Sequence, residues 1–369
     1  MLIDTLLEEE RKGFRARAIN RLFVAAYVAL GLFETILGYF AFDRADDNAI
    51  FLEVVDTGVN GNGSLSEATI QLLYFAAWPA RTVGGGELLY ILWFRLLCLL
   101  GLLAAFQWVS KLVRFAEVVE PSDVDRARAI YMLCILLCPG LTAWTASLLR
   151  DGLSLALFFG GAYAWVSRDR LLGLLLISGG LLLRPQLGVL LAIQGLMLVH
   201  GKYCRDRMRP RLLVAALCIA VSLAGFSYRQ ELSDLFGPVF GEEQSYPLLE
   251  SQLDLGGYLR IIEQAILDPT SITSIGSAKL FGILDSVFFV LILWYGIRAM
   301  SCPDRKVRQL LISAFVTLWA FAYFEFFVSG YSRHRLGPFV ALIACTIIAF
   351  RLDATDHSKA NGLTIGRAD

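Results

Sequence analysis

Long apolar runs separated by short polar breaks dominate the chain. Runs of this length match the hydrocarbon thickness of a bilayer when coiled as helices, and their pattern predicts about ten spans. The expected segments are 21–42, 88–110, 129–148, 152–167, 171–184, 186–200, 212–228, 280–298, 310–328 and 337–350. The fourth to sixth are short. They come from one apolar stretch broken only by Ser167-Arg168-Asp169-Arg170 and by Arg184-Pro185. Proline cannot continue a helix without losing a hydrogen bond, so two short paired helices or re-entrant halves fit better than one continuous span. The predicted fold class is an all-α polytopic transmembrane helix bundle. It has a cytoplasmic amphipathic segment at 1–20, a membrane domain at 21–350 and a cytoplasmic tail at 351–369.

Composition agrees with this pattern. The chain is 57% hydrophobic and 18% charged, with a mean hydropathy of +0.61. The start is not expected to act as a signal peptide, because acidic residues precede the basic ones and the apolar run comes late and long. Net charge is zero, which gives no case for nucleic acid as a partner. No cysteine falls in an expected outer loop, and none has metal-binding spacing, so no disulfide framework or zinc site is expected.

Lys and Arg concentrate in every second loop: near the start, at Lys111 to Arg128, at Arg168 and Arg170, at 201–211, at 303–308 and at Arg351. The positive-inside rule then places both termini in the cytoplasm of a multi-pass inner-membrane protein. Two outer loops are long, 43–87 and 229–279. In the first, the semi-apolar stretch from Ala68 is too short to span and suits a helix lying at the interface. Gly84, Gly85 and Gly86 form an outer turn rather than a nucleotide loop, since no strand precedes them and no Lys-Ser/Thr follows.

The same face carries the candidate chemistry. Asp43, Asp46 and Asp47 follow the first span within five residues. Carboxylates held at a membrane surface suit general-base work, a divalent cation or a cationic partner. Arg150-Asp151 lies in one expected outer turn, Arg184-Pro185 in another, and Arg333-His334-Arg335 at the outer start of the last span. Arginine is the side chain best shaped to bind phosphate oxygens in pairs. Several at one surface point to an anionic lipid head such as a polyprenyl phosphate. Each can also snorkel or pair with a nearby acid. Arg184 has no acid adjacent in sequence, whereas Arg150 has Asp151 beside it to pair with. Among the deeper charges, Glu34 and Arg95 read as packing groups, while Asp285 and Glu325 are candidates for a proton path.

In order and membrane side, three motifs resemble the GT-C superfamily of polytopic glycosyltransferases. They are Asp46-Asp47 followed by Phe51; the charged turn in SLLRDGLSLALFF from Ser147 with the Arg-Pro turn in LLLRPQLGVLLA from Leu181; and YSRHRLGPF from Tyr331. The resemblance implies inverting transfer of a sugar from a polyprenyl-phosphate carrier to a glycan or lipid acceptor on the outer face. Asp47 is then the expected base, with Asp46 second. Asp43 would orient substrate or a divalent metal, and Arg184, Arg333 and Arg335 would hold the lipid phosphate. Arg150, Asp151 and His334 complete the expected substrate-binding set. Two other readings remain open: a polymerase joining lipid-linked repeat units, and, from another class, a transporter or flippase coupled through Asp285 and Glu325.

Overall fold

In a computed structural model, the residues described are 18, 21–30, 45–59, 66–138, 150–185, 187–199, 216, 276–324 and 336–365, without the side chains of 45–50, 196–199, 276–286, 321–324 and 356–365. Among them the protein is all-helical. The helices are α1 (Arg21–Leu30), α2 (Ala45–Thr57), α3 (Glu67–Ala76), α4 (Trp78–Thr82), α5 (Glu87–Leu112), α6 (Phe115–Val118), α7 (Pro121–Leu136), α8 (Arg150–Val166), α9 (Arg170–Leu183), α10 (Leu187–Val199), α11 (Gly276–Ala299), α12 (Arg305–Phe324) and α13 (Leu336–Ile365).

Local chemistry sets many of these boundaries. Gly86 precedes α5 at φ 105°, a conformation that side chains disfavour, so the Gly84 to Gly86 turn uses glycine for a physical reason. Pro121 opens α7, where its missing N–H costs nothing. Asp169 caps α9 by accepting from the Leu172 N–H at 3.3 Å. Asp304 caps α12 by accepting from the N–H groups of Lys306 and Val307 at 2.8 and 3.0 Å.

Two helices among the described residues are long and apolar enough to cross a membrane: Glu87–Leu112, with mean hydropathy 2.2, and Leu336–Thr355, with mean hydropathy 1.8. Helices α8, α9 and α10 are only 17, 14 and 13 residues long. At about 1.5 Å per residue they fall short of a full hydrocarbon crossing of about 30 Å.

The centre of the bundle is α8, packed between α5 and α9. It runs parallel to α5: Gly152 abuts Cys98, Gly101 abuts Ala156, and the Lys111 ammonium lies 5.6 Å from the Tyr163 ring centroid. It runs antiparallel to α9, with Gly173 against Trp165 and Gly180 against Phe158. A methyl group at Gly173 would lie 2.8 Å from the Trp165 nitrogen. Small residues at such crossings let backbones approach, as in membrane helix pairs. Helix α13 closes the bundle. Phe339 packs at a tilt against Phe289 of α11 with centroids 5.0 Å apart, and Arg351 reaches Asp123 of α7 at 3.6 Å.

The bundle therefore has two chemically different ends. One gathers the turns after α5 and α8, the start of α7, the α11–α12 turn and Arg351. There Lys306 Nζ donates to the Leu112 carbonyl at 3.0 Å, across 194 residues of sequence. The basic residues Lys111 to Arg128, Arg168, Arg170 and 303–308 all belong to this end. The opposite end carries the starts of α5, α8, α10 and α13.

Candidate functional site at the Arg-Pro end

The site residues that fall within the described chain are Arg150, Asp151 and Arg184, with Asp46 and Asp47 placed by backbone only. Arg150 and Asp151 form the first turn of α8 rather than a connecting turn. Arg184 is the C-cap of α9, and its N–H donates to the Gly180 carbonyl. The Leu187 N–H in turn donates to the Arg184 carbonyl at 3.1 Å, which starts α10 directly after Pro185.

Arg184 and Asp151 meet. Arg184 Nε donates to Asp151 Oδ1 at 2.5 Å, with side-chain exposures of 8% and 4%. The arginine with no acid beside it in sequence thus has one 33 residues away, brought by the antiparallel α8–α9 hairpin. Each charge also suits its helix end. A carboxylate is favoured at the N-terminus of α8, and a guanidinium at the C-terminus of α9. Arg150 is half-buried beside the pair. The Ser154 hydroxyl donates to the Asp151 carbonyl at 2.8 Å and tightens that first turn.

The start of α13 comes to the same place. Gly337 packs on Leu187, and a methyl group there would lie 3.7 Å from Leu155 Cδ2. Arg333, His334 and Arg335, which precede Leu336 in sequence, lie outside the described residues, as do Asp43 and Glu325.

Asp46 and Asp47 stand on the N-terminal turn of a helix, where sequence reading expected a loop. The missed signal is the spacing of Phe51, Val54 and Val55, three buried residues on one helical face. Acids at a helix N-terminus are favoured by its dipole. No group of three or more His, Cys, Asp or Glu able to hold a metal occurs among the described residues, and the side chains of Asp46 and Asp47 are not among those described.

A polar cluster that no local sequence motif marks fastens α2, α3 and α4 to α5. The Tyr90 hydroxyl donates to Asp56 Oδ1 at 2.8 Å. Arg81 donates to the carbonyls of Val55 at 3.2 Å and Tyr74 at 2.7 Å, and its guanidinium lies 3.3 Å from the Tyr74 ring centroid. One side chain thereby satisfies the C-terminal carbonyls of two helices. Trp93 Nε1 donates to the Ala76 carbonyl at 2.7 Å. Phe75 and Trp78 remain exposed on this unit.

Arg95 lies 1% exposed in α5 and donates through Nε and Nη2 to the Tyr27 carbonyl of α1, at 3.3 and 3.1 Å. Its guanidinium sits 4.6 Å from the Tyr27 ring centroid. This is interhelical packing, the role its sequence position pointed to.

Compared with known proteins, the chain matches no family, no curated sequence and no solved structure.

Proposed function

We propose that this protein is a multi-pass inner-membrane glycosyltransferase of GT-C type, which moves a sugar from a polyprenyl-phosphate carrier to a glycan or lipid acceptor on the outer face. The observation that carries the reading is the asymmetry of the bundle. Basic turns gather at one end, while Arg150 and the buried Asp151–Arg184 pair occupy the other. By the positive-inside rule the basic end is cytoplasmic, which puts the Arg-Pro end and both long loops outside and both termini inside.

Two further features support a membrane setting. The two long apolar helices are one. The other is the row of exposed leucines on α9, including Leu171, Leu172, Leu174, Leu175 and Leu182, which water would not favour. The remaining expected spans, about ten in all, belong to this proposal, with the shorter helices crossing as paired halves or where the bilayer thins locally. Phe75 and Trp78 suit the headgroup layer, where aromatic rings collect.

In the proposed reaction, the acceptor hydroxyl oxygen bonds to the anomeric carbon as the bond from that carbon to the phosphate oxygen breaks. Asp47 takes the hydroxyl proton, with Asp46 as second choice, and Asp43 orients the substrate or a divalent cation. The lipid phosphate leaves carrying the bonding electron pair. Guanidinium groups at the Arg-Pro end stabilise the charge that develops on it.

The test is the content of lipid-linked intermediates and surface glycan in a deletion strain. A truncated or unmodified glycan is expected. Single repeat units accumulating on the carrier would make the protein a polymerase instead, and unchanged glycans would contradict both.

A further inference from the structure

The geometry points to Asp151 and Arg184 as a positioning pair that holds the Arg-Pro end of the bundle in register, Arg184 acting through Asp151 and not as a phosphate ligand. This deepens the proposed function and rests on it.

The pair joins the first turn of α8 to the C-cap of α9. Arg184 also begins the turn into α10, since its carbonyl accepts from the Leu187 N–H and the Pro185 carbonyl accepts from the Gly188 N–H at 2.8 Å. Leu187 is 4% exposed and packs on Gly337 in the first turn of α13. Leu155, one turn after Asp151, approaches the same glycine. One buried contact therefore fixes where three helices begin at this end.

Burial argues for the division of roles. Arg184 is 7% exposed and Asp151 is 3% exposed, so the carboxylate largely neutralises this guanidinium within the protein. A phosphate gains little from a cation whose charge is already balanced at hydrogen-bond distance. Arg150, next to Asp151 on the same helical turn, is only partly buried, with its Nε inside the protein and part of the side chain at the surface. Holding Asp151 inward fixes the rotation of α8 about its axis, and with it the side on which Arg150 emerges. Removing one member, which strands the other as a buried charge, should then weaken anion binding at this end without any phosphate touching Arg184, whereas a neutral Asn–Gln contact in its place keeps the register.

The test uses the full chain in detergent, with farnesyl phosphate as the short polyprenyl phosphate probe and farnesol as its uncharged control. The variants are Asp151→Asn, Arg184→Gln, the double variant Asp151→Asn/Arg184→Gln and Arg150→Gln. Replacing both members of a buried ion pair is often tolerated, whereas removing one strands a buried charge. Each single variant of the pair should therefore melt at a lower temperature, and the double variant should recover much of the loss. Folded Asp151→Asn should bind farnesyl phosphate at least ten-fold more weakly, with farnesol binding unchanged. The double variant should return to within three-fold of the wild type, while Arg150→Gln stays weak.

A folded double variant that remains ten-fold weak would overturn the inference and make Arg184 a direct ligand. Wild-type phosphate affinity in folded Asp151→Asn would overturn it too, leaving a merely structural pair. Should the double variant not fold, the charge swap Asp151→Arg/Arg184→Asp takes its place, with the same expectation and the same contradiction. A wild-type protein that does not prefer farnesyl phosphate to farnesol removes the phosphate site of the proposed function. The pair is then judged by the melting temperatures alone, where additive single and double losses would overturn it.

Discussion

Gly101 of α5 lies directly against Ala156 of α8: a methyl group on Gly101 would come within 2.6 Å of the Ala156 Cα. No side chain can relieve that approach, because the atoms it would meet are backbone. Gly101→Val should force the two helices apart. Overpacking of a buried contact costs about 1–3 kcal/mol, and a backbone clash belongs at the upper end. Thermal unfolding in detergent should show a clear drop for Gly101→Val and little change for Gly160→Ala, since nothing lies within 4 Å of the latter position.

Arg95 should be sensitive to charge and shape together. Its fork donates twice to the Tyr27 carbonyl while lying over the Tyr27 ring. Hydrogen bonds from charged groups contribute about 1.5–3 kcal/mol. Arg95→Leu should lose about that much stability. Arg95→Lys should recover only part, because lysine lacks the planar fork and the stacking. Equal stability of the leucine variant and the wild type in thermal melts would remove the packing role.

Tyr90 and Arg81 should differ in consequence. Tyr90→Phe removes one hydrogen bond, to the exposed Asp56 carboxylate, and should cost about 1.5 kcal/mol, the low end for a bond to a charged group. Arg81→Ala exposes two helix-end carbonyls at once and should cost more. Limited proteolysis between residues 45 and 86 reads this local attachment, and the expected order of cleavage rates is Arg81→Ala, then Tyr90→Phe, then wild type.

Cys302, in the turn between α11 and α12, should behave as an unreactive thiol. Burial pushes it up from 9.0 to about 11, so very little thiolate is present near neutral pH. Its alkylation by iodoacetamide at pH 8 should be much slower than that of the unfolded chain. The folded state holds this proton more tightly than the unfolded state. The associated stability is therefore fully present below pH 9 and is lost as pH rises through about 11. Cys302→Ala should flatten that alkaline loss.

The element pattern was legible where apolar runs met capping residues. Helices α5, α8, α9 and α10 fall within about two residues of the segments expected for them. Other boundaries were not legible. Helix α7 begins at Pro121, eight residues before its expected span, because its first two turns are polar and carry no apolar signal. Helix α13 runs on to Ile365 through the polar stretch expected as a tail. At the site, the residue types at Arg150, Asp151 and Arg184 could be picked out from their place in apolar surroundings. Their pairing could not, since it depends on the hairpin that brings residues 33 apart into contact. The Asp56–Tyr90 contact escaped for the same reason, being set by tertiary packing of α2 on α5.

The central claim is tested most directly by returning Asp47→Asn to the deletion strain at wild-type expression and following sugar transfer from the polyprenyl-phosphate donor in isolated membranes. General-base catalysis contributes about 10²–10⁴-fold. The account predicts at least a hundred-fold loss of transfer and a truncated surface glycan. A wild-type rate of transfer with a complete glycan would contradict it.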